Sequence, residues 1–303
     1  MFRIFIICQL ILCCVVGISA QFRQIAITID DLPLNGPQFE AKRLKKMTAK
    51  LLSATQKHRV PVVGFVNEGL LYRENETDAR IAILKMWPEA GVELGNHTFS
   101  HPGFKDTSLT EFQDDFIRGE SVTKMLIRPN KIRYFRHPFL QMGSTRELEE
   151  AFQKFIAERG YRAVPVTVDT MDWMFLAAYF KALQEKDKEL RKQVSDDYLK
   201  FAGARIDAAE KTSNELFGRN IKHLLLLHAN ELNADNFEAL LGVLTSKGYQ
   251  FITVDEALKD EVYRFPDRYA PTSDWLSHWA FSLGKKIENP QPPEYIQKIY
   301  QGK

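Results

Sequence analysis

Cysteine is almost absent from this chain of 303 residues. The three that occur are Cys8, Cys13 and Cys14, all inside one N-terminal apolar segment. Without that segment there is no thiol, which excludes a disulfide framework, thiol catalysis and thiolate metal sites. An excess of charge of one sign is also missing. The formal net charge is +2, so no bulk attraction draws the chain to nucleic acid, and no nucleic-acid partner is expected. Several signatures are absent too: G-x-S-x-G, G-x-G-x-x-G, a phosphate-binding loop and H-E-x-x-H.

The one long apolar run spans Ile4 to Ile18, broken only by Gln9 and Gly17. It is shorter than the ~20 residues a membrane-spanning helix needs. Arg3 precedes it and Ser19-Ala20 follows, which is the pattern of a signal peptide over residues 1–20. Leu12 before Cys13 is bulky where a lipoprotein signal takes a small residue. The expectation is an exported protein (periplasmic, cell-envelope or secreted) with no stable membrane span in its mature form.

What remains reads as a globular enzyme, with 45% apolar and 26% charged residues. Short apolar runs alternate with helical stretches. Strands are predicted at Gln24-Ile29, Pro61-Val66, Val92-Leu94, Ile132-Phe135, Tyr161-Val168, Lys222-Leu227 and Tyr249-Thr253. Helical spacing marks Phe39 to His58 through Leu44, Met47, Leu51 and Ala54. A capping box is read at Ser144-Thr145-Arg146-Glu147, and a long helical region from Phe175 to Phe217. Such alternation predicts an α/β fold, a distorted seven-stranded barrel in a single domain. Its core covers about residues 24–258, with a helical insertion between the fifth and sixth strands and a helical extension over 259–303. Trp275 and Trp279 share one helical face with Leu283 and are read as packing against the barrel.

Polar residues with chemical capability stand just past these strands. Asp30 and Asp31 follow the first, their side chains expected to diverge so that each serves a different partner. His97 and His101 are spaced i and i+4, which on a helical turn would turn both imidazoles to one ion. Arg136 can hold a carboxylate bidentately. Asp169 and Asp172 follow the fifth strand, and His228 closes the sixth. The C-terminal rim of parallel strands is where barrel enzymes assemble active sites. Two His and one Asp with open positions make a hydrolytic metal site.

These residues fall in five ordered segments: Thr28-Ile29-Asp30-Asp31, Gly95-Asn96-His97-Thr98-Phe99-Ser100-His101, Arg133-Tyr134-Phe135-Arg136-His137-Pro138-Phe139, Asp169-Thr170-Met171-Asp172-Trp173 and Leu226-Leu227-His228. In them the chain resembles the polysaccharide deacetylase family (carbohydrate esterase family four), which includes chitin, peptidoglycan and acetylxylan deacetylases. The resemblance implies that Asp31, His97 and His101 bind a divalent metal, usually zinc, with cobalt, nickel or manganese as alternatives. It implies Asp30 as general base, His228 as general acid, Arg136 holding Asp30, and Asp172 orienting His228. Trp173 and Leu226 would wall the acetyl pocket, and the Phe139 amide would help stabilise the oxyanion. The expected substrate is an acetylated polysaccharide or oligosaccharide.

Three features depart from the family pattern: Leu32-Pro33 after the Asp pair in place of Gly, the ionisable His137, and a long segment between Trp173 and His228. Two other readings are a small-molecule amide hydrolase on the same barrel and a carbohydrate-binding pseudoenzyme. Against the second, every matched polar position is present.

Overall fold

The computed structural model describes residues 23–37, 39–127, 133–265 and 274–302. The signal-like segment with its cysteines lies outside them. Among the described residues no helix is long and apolar enough to cross a membrane.

The strands are β1 (Arg23–Leu32), β2 (Val62–Val66), β3 (Glu93–Asn96), β4 (Arg133–Phe135), β5 (Tyr161–Ala163), β6 (Val168–Asp169), β7 (Lys222–His228) and β8 (Tyr249–Phe251). All pairings are parallel, in the order β5-β4-β3-β2-β1-β7-β6, with β8 on the first residues of β1. The expected α/β barrel is therefore present, with one correction. The stretch predicted as a single fifth strand is two short strands at opposite ends of the sheet path. Pro165 has no N–H to give to a ladder, and the chain changes partner there. Before it, Val164 donates to Phe135 at 2.8 Å; after it, Thr167 donates to Leu224 at 3.0 Å. One segment thus bonds to both ends of the path, and the sheet curls into a distorted barrel.

Side-chain alternation sorts each strand into two faces. Ile25, Ile27 and Ile29 of β1 and Leu225 and Leu227 of β7 face outward, against the helices. Ala26, Val63, Phe65, Tyr134, Val164 and Leu224 pack together inside. On the far side of β4, Phe104, Phe112, Phe116, Phe135 and Phe152 form an aromatic core of their own. Burial on both faces explains why β7 reads as a near-continuous apolar run.

The helix Ala41–Lys57 buries the predicted stripe of Leu44, Met47, Leu51 and Ala54. The long helical region is two helices, Asp172–Glu185 and Lys188–Phe217. The first ends on Lys186 in the left-handed region (φ 56°), and Asp187 caps the second by accepting from the Leu190 amide. The predicted capping box at Ser144 is not formed: the cap is Thr145, one residue later, accepting from the Leu148 amide, and Leu148 has no side-chain acceptor to complete a box. Trp279 is fully buried against Phe217, Tyr263 and Trp275, so the tail aromatics are core, as read. An unanticipated helix, Glu294–Tyr300, lies against Asp172–Glu185.

Candidate metal and acid–base centre

On β1 the inward positions are Ala26, Thr28 and Asp30, so Asp31 should point outward. It does not. Between Ile29 and Leu32 the register with β2 slips, three steps on β1 facing two on β2. Asp31 takes up the slack in the left-handed region, at φ 59°. A bulge of this kind re-aims a side chain. Both carboxylates therefore face the mouth of the barrel and are buried there, instead of diverging across the sheet.

His97 follows β3 directly, and His101 comes four residues later. The segment between them is an irregular loop, not the helical turn expected, with Thr98 at φ 68° and His101 at φ 59°. Polar anchors shape it. The Thr98 amide donates to Asn96 Oδ1 at 2.6 Å, and the Phe99 and Ser100 amides donate to Asp115 Oδ2 at 3.0 and 2.9 Å. Gly119 lets the neighbouring helix end lie against this loop: a Cβ there would stand 2.4 Å from the Thr98 carbonyl carbon. The outcome is convergence. Asp31 Oδ1 lies 3.5 Å from His97 Nε2 and 3.4 Å from His101 Nε2. These spacings match the edge of about 3.3 Å of a tetrahedron with bonds of about 2.0–2.1 Å.

Three further observations favour a metal ion at this triad. Asp31 Oδ1 is buried without a hydrogen-bond partner, while Oδ2 accepts from Asn35 at 2.7 Å. His97 Nδ1 donates to the Arg136 carbonyl oxygen at 2.8 Å, which leaves the lone pair on Nε2. Burial pushes the His97 imidazole down to about 3, and His101 is also lowered chiefly by burial, so both rings are neutral at neutral pH. Neutral imidazole is the form that coordinates. Burial opposes ionised Asp31, yet attraction to the surrounding imidazoles, the cationic His228 among them, and the Asn35 hydrogen bond hold its carboxyl below the ordinary range.

Asp30 sits beside this triad. Arg136 is fully buried beneath it, with Nη1 donating to Asp30 Oδ2 at 3.5 Å. The bidentate grip expected of Arg136 is not made: Nη2 donates instead to Thr28 Oγ1 at 3.0 Å, two residues earlier on the same face of β1. Burial pushes the Asp30 carboxyl up to about 6 against the pull of Arg136. Across the strand pair, Asp30 is level with His228 on β7.

His228 donates from Nδ1 to Asp172 Oδ1 at 2.8 Å, and its backbone amide donates to Asp172 Oδ2 at 2.8 Å. Burial would lower the imidazole, but the Asp172 charge and hydrogen bond outweigh it and push His228 up to about 10. Asp172, fully buried, is held below its ordinary value: burial opposes ionisation, and the His228 charge and the surrounding donors overcome it. Two ionisable groups are thus driven apart, a carboxylate largely ionised at neutral pH and an imidazolium that keeps its proton.

The remaining predicted positions surround this group. Leu226 is buried on the inner face of β7, two residues before His228. Trp173 follows Asp172 and packs edge-on against Tyr300 at 5.2 Å. Phe139 is exposed, in the left-handed region at φ 53°, with its ring 4.4 Å from His101. Asp169 is turned to its own loop, accepting from the Met171 amide at 2.8 Å. His137 does not enter the site. Alternation along β4 turns it outward beside Phe135, where it stacks on Phe104 and Phe112 and contacts Gln153 at 3.3 Å. Asn35, Asp115, Asn230 and Asn233 were not anticipated; only Asn230 had a readable signal, a polar cap before an apolar helix.

Residues 18–164 match the family model described as polysaccharide deacetylase. Over that segment, just under half of its length, the chain is similar to the polysaccharide deacetylase family. It is 28% identical over 155 residues to the peptidoglycan-N-acetylglucosamine deacetylase of Bacillus cereus, covering 51% of this chain and 48% of that one. It is 26% identical over 212 residues to the uncharacterized protein YlxY of Bacillus subtilis, covering 70% of this chain and 53% of that one. The chain therefore spans about half the length of the curated relatives it matches. Among solved structures, PdaA of Bacillus subtilis, a family 4 carbohydrate esterase, aligns at a TM-score of 0.51 and 20% identity over 78% of this chain and 81% of that one. A pseudoenzyme of the same esterase family from Bacillus anthracis aligns at 0.53 and 17% identity, over 78% and 66%. At such identities these structures share the fold. The five segments in which the sequence resembles that family all reach the rim described above.

Proposed function

We propose that this chain is a metal-dependent deacetylase that hydrolyses N- or O-acetyl groups on a cell-wall or extracellular polysaccharide. The observation that carries the reading is the placement of the unpartnered Asp31 Oδ1 between two neutral imidazoles, beside an acid–base pair of opposite protonation. Asp31, His97 and His101 would hold the ion, zinc being the metal best suited to two nitrogens and one carboxylate. The chemistry a bound divalent ion supplies is Lewis-acid polarisation of a water and of the acyl oxygen.

The chain's own groups divide the proton work. Asp30 Oδ1, buried and without a partner, accepts the proton of the attacking water. Arg136 keeps Asp30 ionised in a buried setting. The free nitrogen of His228, Nε2, delivers a proton to the departing amine or alkoxide, while Nδ1 stays bonded to Asp172. The Phe139 amide would donate to the developing oxyanion, and Leu226 and Trp173 would bound the acetyl methyl. No covalent intermediate is needed. Export through residues 1–20 would deliver the enzyme to such a glycan.

The test of substrate class is acetate release from acetylated chitooligosaccharides, peptidoglycan and acetylxylan. Release from one of these supports the reading. Hydrolysis confined to small acylated amides would overturn it in favour of a small-molecule amide hydrolase.

A further inference from the structure

Behind His228 and Asp172 lies a buried polar cluster that reaches into the inserted helix Lys188–Phe217. Tyr198 of that helix is fully buried, and its hydroxyl donates to Asn233 Oδ1 at 2.7 Å. Asn233 stands in the first turn of the helix Glu231–Ser246. Its Nδ2 donates twice, to Asp172 Oδ2 and to the His228 carbonyl oxygen, the second at 2.8 Å. These contacts settle which way the amide points. Its oxygen faces a hydroxyl, and its nitrogen faces two groups that can only accept. A flipped amide would set its oxygen against a carboxylate and a carbonyl, and its nitrogen against the phenol.

Asn230 adds a second arm. It caps the same helix by accepting from the Asn233 amide at 2.8 Å, and its Nδ2 donates to Asp172 Oδ2 at 3.1 Å. Asp172 Oδ2 thus takes donors from Asn230, Asn233 and the His228 backbone, and Oδ1 is left for His228 Nδ1. A carboxylate held at one oxygen by three donors cannot rotate, so the imidazole bonded to the other has one orientation.

We propose that Tyr198 and Asn233 are positioning residues for His228, linking the inserted helix to the aim of the imidazole through Asp172. The inference rests on the reading of His228 as proton donor. It gives the segment between Trp173 and His228 a part in the chemistry. It separates hydroxyl from bulk, because the Tyr198 ring packs on Phe175 at 5.6 Å and a Phe would keep that contact.

Two variants test it. Tyr198→Phe removes one hydroxyl and leaves the ring. Asn233→Asp is isosteric and turns a carboxylate oxygen toward Asp172. The expected result is a fall in kcat for acetate release of about tenfold for Tyr198→Phe and about 100-fold for Asn233→Asp, with KM within about twofold of wild type. Folded variants that keep wild-type kcat, whatever their unfolding temperature, would overturn the proposal. A readout independent of turnover is the His228 Nδ1 proton, observed by proton NMR in water and assigned by its loss in Asp172→Asn. In Tyr198→Phe it should shift or exchange faster with solvent; an unchanged resonance would also overturn the relay. If the wild-type protein released no acetate, the deacetylase reading would fail, and the NMR comparison would still decide whether Tyr198 orients His228.

Discussion

The Nδ1 proton of His97 is bonded to the carbonyl oxygen of Arg136 at 2.8 Å, so the residue beneath Asp30, the proposed base, also sets the tautomer of a proposed metal ligand. The two roles come from opposite ends of one residue. The Arg136 backbone orients His97, and its guanidinium lies under Asp30. The Arg136 amide in turn donates to Asn96 at 3.0 Å, which ties β4 to the start of the histidine loop. The triad is preorganised by main-chain bonds, which no single side-chain change on Arg136 removes. Substituting Arg136 by Met should therefore leave zinc affinity within about tenfold of wild type, while His97→Ala should abolish stoichiometric zinc binding. Calorimetric titration of the metal-free proteins with zinc checks both.

Asp30→Asn separates base from ligand. The amide keeps the shape and the contact with Arg136 but cannot take a proton. Zinc should remain bound at wild-type stoichiometry, and turnover should fall by about 10²–10⁴-fold. Retention of most activity would show that Asp30 is not the base.

The pH profile should report His228. Its imidazole must be protonated to act, and it is held up to about 10, burial opposing and Asp172 dominating. Activity should persist into alkaline solution and decline as pH rises towards 10. In Asp172→Asn the largest opposing charge and its hydrogen bond are gone, while Asp31 and Asp30 remain, so the alkaline limb should move to lower pH. Stability follows the same sign. A histidine raised on folding contributes its full stabilisation below about 6.5, and the contribution is lost as pH rises through about 10. Denaturant unfolding of both proteins across that window measures the difference.

The strand-end placement of the chemistry could be read from the chain because apolar strands and the polar residues after them are local patterns. Leu224-Leu225-Leu226-Leu227 before His228 announces a buried strand and what it presents. Period-two alternation also separates Arg136 from His137, but the notion of a strand running on through Tyr161-Val168 hid the change of partner at Pro165. The bulge that re-aims Asp31 and the loop that brings His101 to His97 are backbone excursions to positive φ by residues other than glycine. Composition carries little trace of them, since tertiary contacts such as Asp115 to the Phe99 and Ser100 amides impose them. Tyr198 and Asn233 meet across 35 positions, and no periodicity marks such a pair.

Gly119 offers a test of that loop. An Ala side chain would meet the Thr98 backbone at 2.4 Å, where no flexible side chain can yield. Gly119→Ala should destabilise the fold by about 1–3 kcal/mol and weaken zinc binding through displacement of His97 and His101. A variant with unchanged unfolding free energy and zinc affinity would show that the helix end can retreat without disturbing the ligands.

The most direct measurement is acetate release by the purified protein on its best acetylated glycan before chelation, after chelation, and after zinc is restored. Activity that disappears with chelator and returns with one equivalent of zinc is the predicted result. Acetate release that persists in the metal-free protein, or a protein that binds zinc at Asp31, His97 and His101 and hydrolyses no acetyl group, would contradict a metal-dependent deacetylase.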